Sequence, residues 1–389
     1  MAAMTVHDVA VVGAGPAGAS AARVLAQAGA RVVLLEKHEL PRYKTCGGGV
    51  VARALRALPA HVRAAVEAEA VERPCHTADI AMGDGLRFHA RRERPLISMV
   101  MRDRFDAVLV AAAGHAGADV RPRAAVRAVV SGAEGVELAT TGGPVVARFV
   151  VAADGATSET ARLSGWSPPR AHAPAVEAEV RVSDADFARL AGGARFDFGA
   201  ADAGYGWVFP KRDHLSIGVC TMRSGVNLNV GLTRYLQALG LTHPRHVDKH
   251  GFFITLGARA EGAVRGRVLL AGDAAGLADP VTGEGISAAI ESGTLAARAI
   301  LDGDAASVGA RYERALAPLR REARIGRFLA HLVYERPRVR RLVFRRHGQT
   351  LTEAMTAVLM GERTYSGFLG RAKTWAILFG LRRPMLTSL

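Results

Sequence analysis

Cysteine is nearly missing from this chain: Cys46, Cys75 and Cys220 are the only three in 389 residues. An odd, widely spaced set points away from a disulfide framework and from a zinc site, so no metal is expected. Long apolar runs are missing too. None reaches the roughly 18 residues that would span a bilayer, and the N-terminus lacks the charged, apolar and cleavage regions of a signal peptide. The expected location is therefore cytoplasmic. Aromatics are sparse, at 6%, which gives weight to any place where they cluster. Acids are also short, 36 Asp or Glu against 51 Lys or Arg, for a formal charge of +15. The imbalance is uneven: Arg311 to Leu389 holds 17 Lys or Arg and 5 Asp or Glu. No recognisable nucleic-acid module accompanies this charge, so nucleic acid is not an expected partner. The bases alternate with large apolar residues, as in Arg340-Arg-Leu-Val-Phe-Arg-Arg346 and Trp375-Ala-Ile-Leu-Phe-Gly-Leu-Arg-Arg383. Such segments suit the surface of an anionic membrane, here peripheral contact with its inner face, or simply a solvated helical face.

What the chain does have is glycine, 43 of them, and the first few are the most informative. Val9-Ala-Val-Val reads as a buried parallel strand, followed by Gly13-Ala-Gly15-Pro16-Ala17-Gly18 at G-x-G-x-x-G spacing. Gly13 permits the tight turn, Gly15 lets a pyrophosphate approach the backbone, and Gly18 lets the next helix pack on the strand. The start of that alanine-rich helix offers free N–H groups to the phosphates. A second strand, Arg31 to Leu35, ends at Glu36, 21 residues after Gly15. An acid there meets an adenosine ribose, which favours FAD or NAD over NADP.

Along the chain, a loop from Pro41 to Gly49 precedes a helical stretch from Val50 towards Val71. A β-like region runs over 77–101, a helix over 102–113 and further strand near 119–130. Val145 to Ala153 reads as a strand ending at Asp154-Gly155, and Ser167 to Ala175 as a linker. Alternating strands follow from Val176 to about Leu256. Val268 to Ala271 returns to buried strand, Gly285 to Leu301 is an alanine-rich helix, and the remainder is mainly helical. The expected fold is α/β: a Rossmann-like dinucleotide domain with an inserted mixed β-sheet substrate domain and a helical C-terminal region. The nucleotide domain is assigned 1–75, 100–165 and 257–305, the substrate domain 76–99 and 170–256, and the basic helical region 306–389.

Gly272-Asp273 ends a strand, where α/β sheets bind ligands, and its carboxylate can accept a bond from a ribityl hydroxyl. Gly283-Glu284-Gly285-Ile286 opens a helix whose N-terminal N–H groups suit a reduced flavin pyrimidine ring. Asp154-Gly155, with Arg162 seven residues beyond, is a third signal; each Asp-Gly pair alone is more often a turn.

From about 7 to 305 these residues resemble the flavoprotein superfamily that includes p-hydroxybenzoate hydroxylase. Arg102-x-x-Phe105-Asp106 looks like its R-x-x-F-D helix start, which implies that Arg102 contacts FAD and that main chain near Val126 lies against adenine. Within that superfamily, three segments resemble the geranylgeranyl reductase family: Lys44-Thr-Cys46-Gly47-Gly48-Gly49, Tyr205-Gly-Trp207-Val-Phe209-Pro210-Lys211, and Asp273-Ala-Ala-Gly with Pro280-x-Thr-Gly-Glu-Gly285. The resemblance implies an FAD enzyme that saturates double bonds in prenyl chains of a lipid, quinone or diphosphate. It implies cofactor contacts from Gly13, Gly15, Pro16, Ala17, Gly18, Glu36, Lys37, Cys46, Gly47, Gly48, Arg102, Val126, Asp154, Gly155, Gly272, Asp273, Gly283, Glu284, Gly285 and Ile286. Cys46, Tyr205 and Trp207 are the candidate catalytic residues, with NADPH or ferredoxin as external reductant.

Two of these segments have competing readings. Cys46 is either a small buried hydrophobe or an active-site thiol beside Lys44. Tyr205, Trp207 and Phe209 share one face of a strand, as a core cluster or as the wall of a substrate tunnel. An isolated alkene needs a hydride on one carbon and a proton on the other, with Trp207 or Tyr205 facing the developing cation and Cys46 or a water on it as acid. The alternative on the same scaffold is an aromatic monooxygenase or a halogenase, although the W-x-W-x-I-P motif of halogenases is absent. A third reading, a flavin-binding membrane-associated or nucleic-acid-binding protein without turnover, is motivated by the basic tail and opposed by the intact Cys46 loop and the aromatic motif.

Overall fold

The computed structural model describes residues 6–169, 172–223 and 225–370. Its centre is an eight-stranded sheet whose main path runs Val264–Arg265, Val268–Leu270, Gly143–Ala152, Val6–Val12, Val32–Leu35 and Asp119–Arg121. The middle strands pair in parallel, as expected of short apolar strands buried on both faces. The first helix, Pro16–Gln27, and the helix Ile286–Leu301 pack on each other almost backbone to backbone. A Cβ on Gly293 would lie 2.1 Å from the Ala17 carbonyl oxygen. Small residues thus bring the N-terminus of Ile286–Leu301 next to the glycine-rich turn.

A seven-stranded sheet combines segments far apart in sequence: His246–Thr255, His172–Arg181, Leu215–Thr221, Gly204–Pro210, Ala194–Phe198, Thr77–Met82 and Arg87–Arg91, in that order. A separate three-stranded sheet is made of Gly49–Val51, Ile97–Val100 and Val71–Cys75, in that order. Helices Val308–Ala330 and Pro337–Leu359 close the described chain together with the short Tyr365–Leu369.

Two sequence expectations fail locally. Val50 does not open a helix, because Gly49–Val51 pairs with Ile97–Met99 as a strand; helices Ala52–Arg56 and Ala60–Glu69 follow, separated at Pro59. The expected linker ends early, because His172 to Ala175 already belong to a ten-residue strand that pairs with Phe252–Thr255. In both places, partners distant in sequence supply the hydrogen bonds that local composition cannot announce.

Candidate active site

A cavity of about 570 Å³ lies where the sheets meet. With the exception of Gly18, all the sequence-predicted cofactor and catalytic residues line it. Gly18 instead does the packing its position requires: a Cβ there would sit 1.9 Å from the Gly13 oxygen. Gly13 has φ +100°, and a Cβ on it would meet the Ala153 oxygen at 2.5 Å. At Gly15 the space is open: the nearest atom to where a Cβ would stand is Arg42 Nη2, 3.7 Å away. That opening faces the uncapped start of Pro16–Gln27, the arrangement a pyrophosphate uses.

Glu36 is buried. It accepts from the Ala14 N–H at 3.0 Å and the His38 N–H at 3.1 Å, and it pairs with Arg42 at 3.2 Å. Each carboxylate oxygen has two lone pairs, so acceptor capacity remains for ribose hydroxyls. Arg42 also donates to Asp106 at 3.0 Å, and Arg102 holds the same carboxylate through two bonds of 2.9 and 3.0 Å. Burial disfavours the Arg102 charge, but Asp106 and Cys46 more than offset this and hold the guanidinium protonated. One ionic network therefore runs from the ribose end of the cavity to Cys46. Arg42 was not identified from the sequence, because a lone arginine in a loop carries no signal of its own.

At the other end, burial raises the affinity of Asp273 for its proton, opposed by Lys44 and Arg102. Among the described residues nothing donates a hydrogen bond to this carboxyl, which fits a site for ribityl hydroxyls. Burial, helped by Arg102, lowers Lys44 to about 8, and its ammonium lies 3.2 Å from the centre of the Phe252 ring. Asp154 accepts from Ser158 Oγ at 2.5 Å and the Thr160 N–H at 2.9 Å, so part of its role is to fix the turn into Glu159–Leu163. Arg162 is not brought to the cavity; it pairs with exposed Glu159.

The loop Cys46-Gly-Gly-Gly49 and the strand Gly204–Pro210 interlock. A Cβ on Gly47 would lie 2.8 Å from Trp207 Nε1, and one on Gly49 would lie 3.0 Å from the Phe209 ring. Lys211, fully buried, donates to Gly47 O and Val100 O, both at 2.7 Å. Burial lowers its pKa, with Glu179 foremost among the groups resisting that. Tyr205, Trp207 and Phe209 share one face, with successive ring centroids 6.1 and 6.4 Å apart. The Tyr205 hydroxyl donates to Thr282 O at 2.5 Å, and burial pushes its pKa well up, so this hydroxyl anchors the loop while its ring faces the cavity. Tyr334 and Tyr365 brace the same loop at Val281 O and Asp279. Trp207 Nε1 is buried with no protein partner among the described residues.

Residues 6–223, over half of the chain, match the FAD binding domain family. Geranylgeranyl diphosphate reductase of Rhodobacter capsulatus is 31% identical over 307 residues, which cover 76% of this chain and 75% of that protein. The chain belongs to the geranylgeranyl reductase family. Digeranylgeranylglycerophospholipid reductase 1 of Methanopyrus kandleri is 33% identical over 306 residues, 74% of this chain and 79% of that one. A solved geranylgeranyl bacteriochlorophyll reductase-like protein of Thermoplasma acidophilum superposes with a TM-score of 0.66 at 23% identity, covering 97% of this chain and 96% of that one. As a geranylgeranyl reductase family member, the protein is an FAD-dependent oxidoreductase, and the open Gly15 turn, Glu36 and the undonated Asp273 carboxyl suit that cofactor.

Sequence reading missed Glu177. It is buried on the strand His172–Arg181, lines the cavity, and accepts from the Cys46 N–H at 2.7 Å and Tyr43 O–H at 3.0 Å. Its one available signal was a pair of acids, Glu177 and Glu179, in a stretch otherwise rich in apolar residues.

Proposed function

We propose that this reductase saturates isolated double bonds of a geranylgeranyl-type chain carried on a diphosphate, lipid or quinone. The observation that carries the reading is the interlock of the Cys46 loop with an aromatic wall in one cavity. Gly13 to Gly18 and Glu36, with Lys37, would hold the pyrophosphate and ribose of FAD, and Val126 the adenine side. Arg102, Asp154, Gly155, Gly272, Asp273 and Gly283 to Ile286 would hold the ribityl chain and flavin ring, with Cys46, Gly47 and Gly48 against the ring. Once reduced, FAD supplies the hydride that alkene saturation requires. NADPH or ferredoxin is the external electron source in this reading.

The chain's own residues do the rest. Phe196, Tyr205, Trp207, Phe209 and Phe252 give the cavity an apolar lining, which takes up a prenyl chain and excludes water. The ring faces of Trp207 and Tyr205 stabilise positive charge developing at a tertiary carbon. Cys46 Sγ receives the Gly48 N–H at 3.4 Å and a hydrogen bond with Arg102, which fixes the thiol in the cavity as a candidate proton carrier. The chain division expected from sequence, a discontinuous FAD-binding part with an inserted substrate part, belongs to the same proposal. So does contact with a membrane surface. Leu342, Val339 and Phe328 are exposed on helices that also carry Arg338, Arg341, Arg345 and Arg346. The segment Trp375 to Arg383 lies outside the described residues. Among the described residues no helix is long and apolar enough to cross a membrane.

The test is anaerobic incubation of the reduced protein with geranylgeranyl diphosphate and geranylgeranylated quinones and lipids, read by mass spectrometry. A gain of two hydrogens per bond is expected; product formation only with oxygen would replace this reading by a monooxygenase. Cys46→Ala should slow saturation while FAD content stays constant, and unchanged turnover would remove Cys46 from the mechanism. Flotation with anionic and neutral liposomes tests the surface: binding that ignores lipid charge and survives Leu342→Glu counts against it.

A further inference from the structure

Glu177 is a carboxylate at the aromatic end of the cavity that the reading above does not use. Its Oε1 accepts from Cys46 and Tyr43, whereas Oε2 is buried without a protein partner among the described residues. Burial, reinforced by the neighbouring Glu179, raises its pKa to about 7, against the pull of the Cys46 N–H, Tyr43 and Lys211. A carboxyl in that state carries a proton near neutral pH and can lose it.

Further titratable groups lie on its own and the neighbouring strands and loop. Glu179 shares its strand, two residues on, and so its face. His214 Nε2 lies 3.1 Å from Glu179 Oε2, and His214 Nδ1 lies 2.8 Å from Asp213. Asp213 is exposed and paired with Arg181 at 2.8 Å. Burial works against the His214 charge, but the bonds to Glu179 and Asp213 raise its pKa overall. From the adjoining strand, His250 stands opposite Glu177 and Asp248 opposite Glu179; His250 stacks on Tyr43 with centroids 4.2 Å apart and pairs with Asp248. Lys211 also lies near both acids, and its ammonium is committed to Gly47 O and Val100 O.

We propose that Glu177 is the acid that protonates the alkene, and that Glu179 and His214 carry in its replacement from the surface. The proposal rests on the prenyl-reductase reading. The Glu177 O–H bond breaks and the alkene π pair forms the new C–H bond at the less substituted carbon. The tertiary carbon, left cationic, takes hydride from reduced FAD. The alkene is thereby reduced by two electrons and FAD oxidised by two; the Glu177 carboxylate then takes a proton through Glu179 from the His214 imidazolium. Cys46, held through its N–H by Glu177, becomes a positioning residue.

Glu177→Gln keeps an oxygen that accepts the Cys46 N–H but cannot release a proton. With FAD content and flavin reduction unchanged, single-turnover saturation of geranylgeranyl diphosphate should slow about 100-fold or more, and what remains should lose the wild-type decline above about pH 7. A second measurement needs neither FAD nor substrate. In the apoprotein, the infrared band of a protonated buried carboxyl should titrate near neutral pH, vanish in Glu177→Gln, and shift to lower pH in Glu179→Gln as the like charge is removed. Wild-type rate and pH profile in Glu177→Gln, or a carboxyl band untouched by that change, would overturn this proposal alone. A wild-type protein that reduces no prenyl substrate would overturn the reductase reading and this proposal with it.

Discussion

Replacing Gly48 with alanine should damage the site more than its size implies. Gly48 has φ +68°, a left-handed conformation that costs a residue with a Cβ about 1–2 kcal/mol. The new carbon would also stand 2.1 Å from Val100 O and 2.4 Å from Lys211 Nζ. Those are the donor and one acceptor of the buried clip that ties the Cys46 loop to the strand Ile97–Val100. Lys211 cannot swing aside without leaving a buried charge unpaired. Losing one of its two bonds costs about 1.5–3 kcal/mol, so with the backbone strain the total comes to about 2.5–5 kcal/mol. Gly85 provides a control: its φ is +88°, and nothing lies within 4 Å of a Cβ there. Gly85→Ala therefore carries backbone strain alone, about 1–2 kcal/mol. Urea unfolding of the two apoproteins at matched slope, with FAD titration by flavin fluorescence, separates the terms. Gly48→Ala should unfold at clearly lower denaturant and bind FAD more weakly; Gly85→Ala should shift the midpoint only slightly and leave FAD binding unchanged. Equal midpoints for the two variants would show that the Lys211 clip does not hold the loop.

Glu177 makes stability depend on pH in a defined direction. Its folded pKa, about 7, lies above the ordinary 4.5, so the folded state binds more protons between those values. The contribution is fully present below about pH 4.5 and is lost as pH rises through about 7, a change of about 3–4 kcal/mol at most. Thermal unfolding of Glu177→Gln between pH 5 and 8 should be flatter than wild type, and parallel curves would contradict the assignment. Trp207→Phe should lower kcat about 5- to 30-fold, corresponding to about 1–2 kcal/mol of cation–π stabilisation, with FAD affinity kept. An unchanged kcat would leave Trp207 as packing only.

The βαβ unit with its glycine turn and Glu36 was legible in the sequence because its geometry is local. A strand, a tight turn and a helix within about 30 residues impose their own residue types. The Cys46 loop and the Tyr205 strand were legible as motifs, but their mutual contact was not. Gly47 must be glycine because Trp207 Nε1 would lie 2.8 Å from its Cβ, a constraint imposed from about 160 residues away. Arg42 and Glu177 went unread, and Lys211 was given no role beyond its place at the end of a motif, for the same reason. Each is an ordinary charged residue in sequence and becomes special only when buried beside a partner 64, 164 or 131 positions distant.

By itself, then, the sequence determined that the chain is built to hold a dinucleotide, since phosphate and ribose recognition are written into short backbone segments, and the resemblance of its later motifs narrowed this to FAD. Only the tertiary structure decided which acids and bases line the cavity. Their ionisation depends on desolvation and on neighbouring charges, and both come from sheets assembled out of distant strands.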